Sequence, residues 1–164
     1  MINRIAIPGN NGTVILTGVL TKEGHPYRVA SMKNGAAPFF DGKDSLLKNE
    51  QQEVNFTDPG KYTGLTFIQT DQEDAKTIGP GFLNFRIDED ALVYVAYEKT
   101  DRLFHSSIPA WLKDFKKEDG ELVAQYRYFA VYSKLFPKGL VSLPAADAKS
   151  NGVSSNYFVM VKKK

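Results

Sequence analysis

The side chains in this sequence best suited to chemistry are acidic and aromatic. Carboxylates gather at Asp71, Glu73 and Asp74, and again at Asp88, Glu89 and Asp90. Hydrolysis of a glycosidic bond needs two carboxyl groups about 5 Å apart for retention, or further for inversion. Spacing along a chain does not define that separation. Both clusters fall in segments that read as turns, where short acidic side chains bond to nearby backbone, so the plain reading is structural. The functional alternative is a hard cation. Asp71, Glu73 and Asp74 would offer loop oxygens to a structural Ca²⁺, although their spacing departs from that of an EF-hand loop.

Other chemistries find less support. His25 and His105 each lack a partner at metal-site spacing and the chain has no cysteine, which argues against zinc and excludes thiol nucleophiles and disulfides. The serine-nucleophile, P-loop and dinucleotide glycine patterns are missing. Aromatic residues remain. Tyr126, Tyr128 and Tyr132 share strand parity and would form a stripe that stacks on sugar rings if exposed, or core if buried. Trp111 carries the same pair of readings, a plug at one end of the fold or a stacking platform.

Strands must position these groups. Short apolar or alternating runs recur between Gly, Pro, Asn and Asp clusters, at residues 4–7, 14–20, 27–30, 54–56, 65–69, 83–87, 92–97, 122–124, 126–132, 140–143 and 157–161. The run from Leu83 to Ile87 alternates and fits a half-covered strand. Leu92 to Tyr97 has no polar residue, which fits a strand covered on both faces or central in its sheet. One short helix is expected over Pro109 to Phe115, with Ser107 as its cap. Residues 31–53 mix turn signals with Phe39 and Phe40 and read as a loop with one short strand winding over the sheets. The expected fold is an all-β, antiparallel, jelly-roll-like sandwich, with no alternation of strands and long helices to build a nucleotide crevice.

At 164 residues the chain has the length of one domain, residues 1–164. A net charge of +2, part of it in the Lys162, Lys163 and Lys164 tail, is too small to argue for nucleic acid. The start MINRIAIPG has neither the basic and apolar pattern of a signal peptide nor the length of a membrane span.

Several of these pieces occur together in a known pattern. GLTFIQTDQEDAK (residues 64–76), FLNF (82–85), the apolar strand Val93 to Glu98, the IPAWL turn from Ile108 to Leu112, the strand and turn from Phe129 to Gly139 and the closing strand Asn156 to Val161 resemble a β-sandwich module appended to secreted bacterial polysaccharide-degrading enzymes. The resemblance covers about residues 62–161. It implies a secreted or periplasmic, non-catalytic carbohydrate-binding or accessory module that holds a parent glycan-active enzyme on polysaccharide. Tyr97, Arg102, His105 and Trp111 would then contact the ligand, around a loop between Tyr97 and Pro109 longer than the family's. Two other readings stay open: a structural or protein-interaction spacer, and a small lyase or hydrolase built on the same sandwich.

Overall fold

Alternating β-branched, aromatic and polar residues form the strands of this chain. The structure, a computed structural model, describes residues 14–40, 56, 57, 59–99, 107–124 and 127–164. The strand expected at residues 4–7, residues 54 and 55, Arg102, His105 and Tyr126 lie outside them. The described strands are β1 (Leu16–Thr21), β2 (Arg28–Ser31), β3 (Phe39–Phe40), β4 (Thr66–Asp71), β5 (Leu83–Ile87), β6 (Ala91–Glu98), β7 (Lys116–Ala124), β8 (Arg127–Phe136), β9 (Gly139–Leu143) and β10 (Phe158–Lys163). They form an antiparallel β-sandwich of two sheets. One sheet has the order β1-β5-β9; the other runs β2-β4-β10-β6-β8-β7, with β3 added in parallel to β4.

The apolar run of β6 lies at the centre of the larger sheet, between β10 and β8. Its two faces enter different cores. Val93, Val95 and Tyr97 point between the sheets, where they meet Leu83, Phe85, Val141 and Tyr157. Tyr94 and Ala96 point to the outer face, into a cluster with Phe56, Phe67, Phe129 and Phe158. Met32, Ala36, Phe39 and Tyr62, from the irregular segment after β2, cover that outer face. Phe158 is the hub, with ring centroids 5.1–6.4 Å from Phe129, Phe56, Phe39 and Phe67. Tyr62 packs edge-on against Tyr94 with its hydroxyl buried and without a hydrogen-bond partner among the described residues.

Two expectations need correction. The segment from Pro109 to Phe115 does hold a short helix, the 3-10 helix Ala110–Asp114, but not with the expected cap. Ser107 does not cap it; its hydroxyl donates instead to Asn151 Oδ1 at 2.6 Å. The second is β7, which begins at Lys116, well before Leu122. Its charged first half pairs with Tyr132 and Ser133 of β8 through a bulge between Lys117 and Glu121, so tertiary pairing overrides a weak local preference.

Candidate functional site

Tyr97 and Trp111, 14 positions apart in sequence by their numbering, meet at one segment of backbone. The carbonyls of Pro144, Ala145 and Ala146 accept in turn from Tyr157 Oη at 2.7 Å, Trp111 Nε1 at 3.1 Å and Tyr97 Oη at 2.6 Å. On its other edge the segment bonds the chain before β5: the amides of Ala145, Asp147 and Ala148 donate to the carbonyls of Gly79, Thr77 and Ala75. Tyr97 and Tyr157 are fully buried, and burial raises the pKa of both hydroxyls, so they remain protonated donors. Trp111 is half-buried, edge-on to Phe115 and Tyr157. The polar tips of both aromatics thus hold the fold, and Tyr97 has no surface to offer a ligand.

The stripe expected on β8 is divided by height. Tyr132 is buried between the sheets, whereas Tyr128 is 47% exposed.

The acidic segment after β4 forms a 3-10 turn, Gln72–Lys76, which Asp71 caps by accepting from the Glu73 amide at 2.9 Å. Asp74 accepts a 2.5 Å hydrogen bond from Tyr27 Oη. Burial raises the Asp74 pKa, outweighing the Tyr27 hydrogen bond, which lowers it; Asp71 and Glu23 add to the rise. Asn156 ties the turn to the residue before β10, donating through Nδ2 to the Asp71 carbonyl and accepting through Oδ1 from the Tyr157 amide. Among the described residues, no three His, Cys, Asp or Glu side chains are grouped as a metal ion would require.

At the far end of β6, Glu98 Oε1 accepts from the amides of Ser154 and Ser155 at 3.1 and 2.9 Å, and Arg127 stands 4.0 Å from it. This polar rim adjoins Lys99, which donates its amide to the Tyr128 carbonyl and its ammonium to Glu121.

A separate feature lies at the opposite end, on the outer side of the smaller sheet. An open groove of about 590 Å³ is lined by Thr17 and Gly18 of β1, Arg86 of β5, Lys138 before β9, and Gly139 and Leu140 of β9, with Ile15 and Asp88 at its margin. The alternation of β5 marks Arg86 as outward-facing. Nothing in the sequence indicated that β9 would lie beside it.

No family model matches the chain, and none of the curated proteins matches it. Solved structures do. The chain is similar in fold to part of a β-glucuronidase from glycoside hydrolase family 2, with a TM-score of 0.68 and 15% identity over 88% of this chain. It is also similar to part of a family 138 glycoside hydrolase targeting pectin rhamnogalacturonan II, with a TM-score of 0.58 and 15% identity over 98% of this chain. It spans only 14% and 17% of those chains. The likeness establishes the fold: this chain is an all-β sandwich of a kind found as a small part of two glycoside hydrolases.

Proposed function

We propose that this sandwich is a non-catalytic, carbohydrate-binding or accessory module that works beside a secreted glycan-active enzyme. The observation that carries the reading is the match of nearly the whole chain to a minor portion of two glycoside hydrolases. Such a module raises the local concentration of its enzyme on a polymer through many weak contacts. In this reading Arg102 and His105 supply polar contacts to the glycan on the chain between β6 and Trp111. Tyr97 and Trp111 hold the scaffold through their hydrogen bonds to the Pro144–Ala146 backbone.

Affinity gel electrophoresis of the chain against a panel of neutral and acidic polysaccharides tests this. Retardation by at least one polymer is expected, with no sugar released from it. Uniform migration across the panel, or product formation by the isolated chain, overturns the reading.

A further inference from the structure

We propose that the groove on the outer face of β1, β5 and β9 binds a carboxylate-bearing sugar residue, with Arg86 holding the carboxylate and Leu140 supporting the apolar face of the ring. The inference rests on the glycan-binding reading above and adds to it a ligand class and a site. Its basis is register. Arg86 pairs with Thr17 on β1 and with Leu140 on β9, and directly opposed residues share a sheet face. A hydroxyl, a guanidinium and an aliphatic side chain therefore stand in one row across three strands. A pyranuronate offers the complementary set: a hydroxyl edge, a planar anion and a face of C–H groups.

Exposure and charge agree with this. Leu140 is 58% exposed, unusual for a leucine in a sheet, and Arg86 beside it is exposed as well. Neither the Arg86 nor the Lys138 side chain forms an ion pair or hydrogen bond among the described residues. Asp88, the one carboxylate in the lining, accepts from the Ile15 amide at 2.9 Å through Oδ1. Two cations against one engaged carboxylate leave the groove positive. Arginine suits the task, since its planar fork can bond both oxygens of a carboxylate.

The backbone leaves room for the ring. Gly18 and Gly139, at φ +60° and +126°, hold conformations that other residues rarely adopt, and a Cβ at either would meet nothing within 4 Å. The groove volume falls within the ~300–1,000 Å³ of small-molecule sites.

The test is affinity gel electrophoresis and titration calorimetry with polygalacturonate, its fully methyl-esterified form, a sulfated polysaccharide and a neutral one. Binding of polygalacturonate in preference to the ester and to the sulfated polymer is expected. Arg86→Ala should weaken it by roughly tenfold or more, as loss of a charge-assisted pair does. Arg86→Lys should recover only part, and Leu140→Ser should weaken binding with the charge intact. Circular dichroism confirms that each variant folds. Equal binding of ester and acid, or of sulfate and carboxylate, overturns the proposal. So does polygalacturonate binding that is lost in Arg102→Ala and unchanged in Arg86→Ala. In each of these cases the accessory-module reading stands. Failure of every polymer to bind removes both.

Discussion

At the residue scale, the hydroxyl of Tyr157 has a hydrogen-bond partner, whereas the buried hydroxyl of Tyr62 has none among the described residues. Tyr157 gives its hydroxyl to the Pro144 carbonyl, so Tyr157→Phe should leave that carbonyl unpaired and destabilise the chain by about 1–3 kcal/mol, measured by chemical denaturation. Tyr62→Phe makes the contrast. Its hydroxyl is buried with no partner among the described residues, so removing it should leave stability unchanged or raise it by up to about 1 kcal/mol. Asp74 adds a pH dependence. Its folded pKa is raised above the ordinary 3.8, so its contribution to stability is full below that value and declines as pH rises through the folded pKa. Asp74→Asn keeps an acceptor for Tyr27 without the charge. The stability of the variant relative to the parent chain should therefore increase from pH 3.5 to pH 7 in paired denaturation curves. A difference independent of pH would show that the Asp74 pKa does not shift on folding.

At the scale of elements, β10 links the two cores. Val159 and Val161 enter the inter-sheet core while Phe158 and Met160 enter the outer one. Phe158→Ala should remove the hub of the outer aromatic cluster and cost about 3–5 kcal/mol in denaturation experiments, whereas the smaller truncation Phe158→Leu should cost clearly less. Strands were the most legible part of this sequence because their information is local. The alternation of Leu83 to Ile87 and the unbroken apolar run of β6 defined one half-covered and one central strand. The first half of β7 was illegible because KKEDG has the composition of a turn, and pairing with β8 makes it a strand. The site was less legible still. Tyr97 and Trp111 have the chemistry of sugar contacts, and only the course of the Pro144 to Ala146 backbone shows that their donors point inward. That segment carries no side-chain signal. The row of Thr17, Arg86 and Leu140 likewise depends on pairing between strands far apart in sequence.

At the scale of the whole molecule, the larger sheet is covered on one face by the smaller sheet and on the other by Met32, Ala36, Phe39 and Tyr62. The outer face of the smaller sheet keeps its groove. If each copy contacts glycan through that groove, a polymer long enough to reach two copies engages both at once. Two copies joined by a flexible linker should then bind polysaccharide about a hundredfold more tightly than one, read by calorimetry against the monomer. An unchanged affinity would place all binding on short, isolated oligosaccharides. The hydrogen bond from Trp111 to Ala145 has an optical consequence. The chain contains one tryptophan, so its indole emission reports a single location: the corner where β6, β10 and the strap before β10 are joined. Tyr157→Phe and Tyr97→Phe remove the hydroxyls that hold the two neighbouring carbonyls, those of Pro144 and Ala146, and should move the emission toward the red before global unfolding begins. The chain thus carries its own fluorescent gauge of whether the Pro144–Ala146 segment stays held by its aromatic donors.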